Sequence, residues 1–133
     1  MNEKILIVDD AKFARTLVKK ALANGGYDNI IETANAADTK KVFAEEKPDL
    51  TILDITLPDN SDLTLLKDLL QIAPQAKIIM NSAIGQTLII ADALKLGAKN
   101  FITKPFEEQE LLQVVKFVLE EPASPEAKPD ERK

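Results

Sequence analysis

The chain has 133 residues, of which 45% are hydrophobic and 29% charged, enough for one compact domain with a core of its own. Its net charge of −5 argues against a protein that grips nucleic acid or an anionic membrane unaided. It contains neither cysteine nor histidine, which excludes disulfides, thiolate metal sites, His-based triads, His-ligated zinc and a phosphohistidine on this chain. No apolar run approaches the roughly 20 residues of a membrane span. The opening "MNEKILIVDD" is too short and too acidic for a signal peptide, so a soluble, cytoplasmic protein is expected.

The first predicted strand is Lys4–Val8, "KILIV", which runs straight into Asp9 and Asp10. A helix follows, with Ala14, Leu17, Val18, Ala21 and Leu22 at helical spacing, ended by "NGG" at Asn24–Gly26. Asn29–Ala34, "NIIETA", reads as a second and less apolar strand. Ala36–Glu46 is helical with a thin stripe of Ala36, Thr39 and Phe43. "KPD" at Lys47–Asp49 stops it, because the residue before a proline avoids helical dihedrals. The third strand, Leu50–Leu53, delivers Asp54. The helix Ser61–Ile72 carries Leu65, Leu66, Leu69 and Ile72, with Ser61 or Asp62 as its cap. Lys77–Met80 is the fourth strand, and Gln86–Leu96 is a helix that Gly97 terminates. Asn100–Thr103 is the fifth strand; Glu107–Leu119 is the last helix, with acids at its N-terminus and Leu111, Val114, Val115 and Val118 turned inward.

Near-continuous apolar strands suit a sheet covered on both faces, and strict strand–helix alternation predicts an α/β fold: one doubly wound, five-stranded parallel sheet. The domain is expected over residues 1–120. The stretch 121–133, "EPASPEAKPDERK", has three prolines and no aliphatic residue larger than alanine, so it is expected to be a disordered tail.

In a parallel sheet, ligands bind beyond the carboxyl ends of the strands. Those ends here carry Asp9 and Asp10, then Asp54, then Ser82, then Lys104. Taken singly, each has an ordinary reading: an acid after a strand caps a helix, Ser82 is a loop serine, "KP" is a turn. Taken together they bring three carboxylates, a hydroxyl and an ammonium to one edge. Three such carboxylates repel one another unless a cation joins them. Oxygen ligands without Cys or His select a hard ion, and Mg²⁺ fits because it takes few protein ligands and keeps its waters. Metal, ammonium and hydroxyl around a carboxylate suit phosphoryl transfer to that carboxylate, Asp54.

These motifs resemble the receiver domain of two-component response regulators, most closely the stand-alone CheY-like type, over residues 3 to about 119. "ILIVDDA" is similar to the family's first strand and acidic pair, "LDITLP" to its phosphoacceptor strand, "NSAIGQ" to its switch segment and "GAKNFITKPF" to its fifth strand and lysine. The resemblance implies a flavodoxin-like (βα)5 fold with strand order 2-1-3-4-5. It implies that Asp54 is phosphorylated, and that Asp10, Asp54 and the backbone carbonyl of Thr56 ligate Mg²⁺ while Asp9 acts mainly through metal-bound water. Lys104 and Ser82 would contact the phosphoryl oxygens, and Phe101 would turn inward when the serine moves. Thr56 and Ile84 occupy positions that influence the hydrolytic water. Neither is suited to activating it, so a long-lived phosphorylated form is expected. One departure is Asp62, which stands where the family commonly has glycine; aspartate tolerates left-handed dihedrals better than most residues.

The expected function is a phosphoacceptor that is not an enzyme in its own right. It would take phosphate from a histidine kinase or phosphotransfer protein and bind a downstream target, with a phosphatase as a further partner. Chemotaxis or motility control is the first reading and a phosphorelay intermediate the second. An aspartate-nucleophile phosphatase of the haloacid dehalogenase type is the competing class, but it usually needs a second aspartate two residues on, where this chain has Thr56. Nucleotide binding lacks a glycine-rich loop. With no output domain expected after the fifth helix, output would come from binding by a monomer. The helix "QTLIIADALKL" is too apolar to hide all its aliphatics against a sheet, so a partner face at Ile90, Lys99 and Phe101 is expected.

Overall fold

The structure is a computed structural model and describes residues 3–60, 62–83 and 85–121. The strands β1 (Lys4–Val8), β2 (Asn29–Thr33), β3 (Leu50–Asp54), β4 (Ile78–Ala83) and β5 (Asn100–Lys104) alternate with α1 (Lys12–Asn24), α2 (Ala36–Glu46), α3 (Thr64–Ile72), α4 (Thr87–Leu96) and α5 (Glu108–Glu120). All strand pairs are parallel, in the order β2-β1-β3-β4-β5. This is the flavodoxin-like, CheY-like arrangement expected from the sequence. No helix among the described residues is long and apolar enough to cross a membrane.

Successive side chains of a strand point to opposite faces, and both faces here are apolar. Leu6, Val8, Leu53, Ile78 and Met80 pack with Phe43 of α2, Leu65, Leu66 and Leu69 of α3 and Ile90 and Ala93 of α4. On the other face Ile5, Ile7, Leu50, Ile52, Ile79 and Ile102 pack with Val18 and Leu22 of α1 and Leu111, Val115 and Val118 of α5. Each fully buried side chain of this size contributes about 1.5–3 kcal/mol relative to exposure. The register then fixes the site: Val8 lies beside Leu53, Asp54 beside Asn81, and Ala83 beside Lys104. Four strands thus end at one edge.

Several boundaries move from where local pattern placed them. β4 runs past Met80 through Asn81, Ser82 and Ala83, because these residues pair with Ile102, Thr103 and Lys104 of β5. α3 starts at Thr64, not Ser61. Leu57 and Asn60 exchange backbone hydrogen bonds at 2.9 and 3.1 Å, a tight turn that uses up residues before the helix can begin. Asp62 then accepts the Thr64 N–H at 2.9 Å. Lys47 is the only non-glycine residue with positive φ among those described, so Asp62 does not need the left-handed conformation. Leu17 and Ile72, placed on the apolar stripes of their helices, are 46% and 47% exposed, at the margins of those stripes. The expected tail lies outside the described residues from 122 onward.

Candidate functional site

Asp9 follows β1 directly and is 2% exposed, while Asp10 beside it is exposed. Asp9 is held from two sides. Its Oδ1 accepts the Ala11 N–H at 2.9 Å, and its Oδ2 accepts from Lys104 Nζ at 2.9 Å. Asp54, the last residue of β3, is 8% exposed. Its Oδ2 lies 3.5 Å from Lys104 Nζ and its Oδ1 accepts the Thr56 N–H at 3.3 Å. Asp9, Asp10 and Asp54 each offer an oxygen within 4.8 Å of the other two. The three acids and the lysine therefore meet as the sequence predicted. Lys104 leans on Asp9 more closely than on Asp54.

Burial pushes the Asp54 carboxyl up; Lys104 pulls it down and the charge of Asp9 pushes it up again, leaving it above the ordinary 3.8. Burial also works against the Lys104 ammonium, but the hydrogen bond to Asp9 and the charges of Asp54 and Asp9 outweigh it, and the lysine ends above 10.5. The two effects do not mirror each other, because Lys104 faces two carboxylates whereas Asp54 faces one ammonium and one carboxylate. One ammonium does not balance three acids. An all-oxygen donor set with two buried carboxylates and one exposed one fits a hard divalent cation that retains waters.

The other expected site residues are placed less simply. The hydroxyl of Ser82, buried on β4, donates to Ile102 O at 3.4 Å rather than facing the acids. Phe101 is 41% exposed. Between them lies a cavity of about 280 Å³ whose walls include Ser82, Gln86, Ile90 and Phe101. Ile90 is a correction: expected on the partner face, it is 6% exposed and packs into the core. The helical phase turns it to the sheet and leaves Leu88, 83% exposed, on the outside. Lys99, on the connection into β5, is half-buried. Ile84 lies outside the described residues.

Sequence reasoning missed three residues at the site. Arg15 Nη1 donates to the Asp9 carbonyl at 2.7 Å while its Nε pairs with Glu32 at 2.9 Å. The helical phase of α1 was the one signal that pointed to it. Asn81, beside Asp54 on β4, is 2% exposed and its Oδ1 has no hydrogen-bond partner among the described residues. It borders a largely apolar cavity of about 480 Å³ next to Lys104, walled by Leu17, Val18 and Phe106. Gln86 reaches back to Thr56 across 30 residues, a contact with no local signature.

A family model described as "Response regulator receiver domain" matches residues 5–116. The chain is 42% identical to chemotaxis protein CheY of Bacillus subtilis (strain 168) over 119 residues, covering 90% of this chain and 99% of that protein. It is 34% identical to sporulation initiation phosphotransferase F of the same organism, covering 90% of this chain and 95% of that protein. Among solved structures, the receiver domain of NtrX from Brucella abortus is 30% identical with a TM-score of 0.84, over 90% of this chain and all of that one. With the acid cluster and the β2-β1-β3-β4-β5 sheet, these matches place the chain in a family: it belongs to the response regulator receiver domains.

Proposed function

We propose that the chain accepts a phosphoryl group on Asp54 from a partner histidine kinase or phosphotransfer protein and signals by binding a target in its phosphorylated form. The observation that carries this is Asp54 itself: a buried carboxylate at a strand end, with Lys104 Nζ at 3.5 Å and two further acids within 4.8 Å. In the transfer, an Asp54 oxygen attacks phosphorus as the bond from phosphorus to the donor nitrogen breaks. The donor imidazole leaves with its electron pair, so no proton has to come from Asp54. Lys104 is placed to neutralise oxygens of the group that arrives. Asp9, Asp10 and Asp54, with the carbonyl of Thr56, would hold Mg²⁺, which when bound supplies positive charge for the phosphoryl oxygens.

Phosphate on Asp54 would draw Ser82 away from the Ile102 carbonyl and let Phe101 turn into the cavity they share. That displacement would change the outer face of α4 and β5, where Leu88, Lys99 and Phe101 lie. A few kcal/mol between the two arrangements is enough for phosphorylation to move the population. We read the protein as cytoplasmic and monomeric, without turnover as an enzyme, and we favour chemotaxis control from the 42% identity to a chemotaxis protein. The likeness to sporulation initiation phosphotransferase F supports phosphorelay transfer as the second reading.

The test mixes the protein with Mg²⁺ and a small phosphodonor and looks for an acid-stable, base-labile phosphoryl mass on Asp54. A gain in the wild type that is absent in Asp54→Asn supports the reading. No gain overturns it, and rapid multiple turnover of phosphate esters would make the protein an enzyme instead.

A further inference from the structure

One side chain ties the β4–α4 connection to the residue that follows the phosphoacceptor strand. Gln86 Oε1 accepts the Ala83 N–H at 2.7 Å, and Gln86 Nε2 donates to Thr56 Oγ1 at 3.4 Å. Thr56 in turn gives its N–H to Asp54 at 3.3 Å, and Ala83 lies in register with Lys104. A single carboxamide therefore joins the residue after Ser82 to the residue two beyond Asp54. Gln86 stands at the start of α4, yet its side chain makes no capping bond to that helix. Both of its hydrogen bonds run back toward the site.

We propose that Gln86 is a positioning residue that holds the unphosphorylated site in its resting arrangement and so sets how readily Asp54 accepts a phosphoryl group. The inference rests on the phosphoacceptor reading above. Its physical basis is competition for donors. A phosphoryl group on Asp54 brings charged oxygens to the ends of β3, β4 and β5, and each gains from a donor or cation. In the resting arrangement the Ser82 hydroxyl is given to Ile102 O and the Ala83 N–H to Gln86. A phosphoryl group would call on the Ala83 N–H that Gln86 holds, and Gln86 fastens that backbone to Thr56. Gly85, with φ +98°, supplies a conformation that side chains seldom adopt and brings Gln86 back over Ala83. The clasp is neutral, so it satisfies Ala83 without adding a further charge beside the three carboxylates and Lys104. The bond to Thr56 is long at 3.4 Å, so the clasp is worth about one good neutral hydrogen bond and biases a two-state population by about three- to tenfold.

The test uses Gln86→Met, which keeps the length of the side chain without either bond, and Gln86→Ala, which removes both. Each is mixed with Mg²⁺ and a range of acetyl phosphate concentrations, and acyl phosphate on Asp54 is followed by intact mass. Both should show a maximal rate about three- to tenfold above wild type, with half-saturating acetyl phosphate and Mg²⁺ affinity unchanged within about twofold. In the unmodified variants the Thr103 amide resonance, beside the Ile102 carbonyl that Ser82 leaves, should move toward its position in phosphorylated wild type, a change that losing the bonds of Gln86 would not by itself produce. Gln86→Glu keeps an acceptor for Ala83 but adds charge, and should react more slowly than wild type. A maximal rate in Gln86→Met at or below wild type, or an unmoved Thr103 resonance, overturns the proposal. A wild type that takes no phosphate removes the phosphoacceptor reading itself, and the role of Gln86 with it. That result is distinct from a wild type that reacts at the same rate as its variants.

Discussion

At the scale of single residues, the site is a balance between burial and charge, and Asp54 carries the cost. Its carboxyl is raised in the fold by burial, with Lys104 opposing and Asp9 adding to the rise. A carboxyl that binds its proton more tightly when folded favours folding below its ordinary value of 3.8, and that contribution is lost as pH rises through the folded value. Ionised Asp54 therefore weakens the metal-free fold at neutral pH. Asp54→Asn, in chelator at pH 7, should raise the urea midpoint by about 1 kcal/mol of stability. The advantage should shrink as pH falls toward 4; a variant less stable than wild type at pH 7 would show that the acids do not strain the fold. Lys104 works in the other direction. Its support is present below 10.5 and is lost as pH climbs through its raised folded value. The acids also divide unequally. Asp9 is already engaged by Lys104 and the Ala11 N–H, whereas Asp10 is exposed. Asp10→Ala should cost more Mg²⁺ affinity than Asp9→Ala, measured by titration calorimetry. Equal losses would contradict direct ligation by Asp10.

At the scale of elements, α4 separates what periodicity can decide from what it cannot. The run Leu88, Ile89, Ile90, Ala91, Ala93, Leu94 and Leu96 covers more than one helical stripe, so some apolar surface had to face outward. Composition could not say which residues, because nearly every phase of the helix buries an aliphatic side chain. Packing against β4 selects Ile90 and Ala93 for the core and leaves Leu88, Leu94 and Leu96 exposed. Ile90→Ala should therefore act as a core truncation, costing about 2–4 kcal/mol in urea unfolding. Leu88→Ala should leave stability within about 0.5 kcal/mol and instead weaken binding of the phosphorylated protein to its target. The reverse assignment of these two effects would place the output surface elsewhere. Capping shows a similar division. Asn35 was not singled out, but its side chain accepts the Asp38 N–H at 2.8 Å, a local cap visible in principle from sequence. Asp59 accepts the N–H groups of Ala36 and Ala37 at 2.7 and 3.1 Å from 23 and 22 residues away, and no local pattern announces it.

At the scale of the whole molecule, one cation should couple the site to global stability. The acids come from the ends of β1 and β3, so a cation that gathers them braces two neighbouring strands at once. Binding to the folded form alone stabilises it by mass action, by about 2.7 kcal/mol at a hundredfold excess over Kd. Mg²⁺ should raise Tm in wild type, and removal with a chelator should reverse the rise; Asp10→Ala should lose most of it. A wild-type Tm indifferent to Mg²⁺ would exclude the cluster as a metal site. The sequence by itself determined the strand–helix alternation, the two-faced burial of the sheet and the identity of the residues at the strand ends. These are local facts: apolar runs, proline stops and an acid or lysine at the last position of a strand are read within a few residues, and a parallel sheet does the rest by bringing those ends to one edge. Only the tertiary structure decided that Lys104 leans on Asp9 across 95 residues, that Ser82 donates to Ile102 across 20, that Gln86 clasps Thr56 across 30 and that Ile90 turns inward. Such contacts depend on how far a strand continues under its neighbour's pairing and on which helical phase the sheet accepts, and both are set by residues distant in the chain.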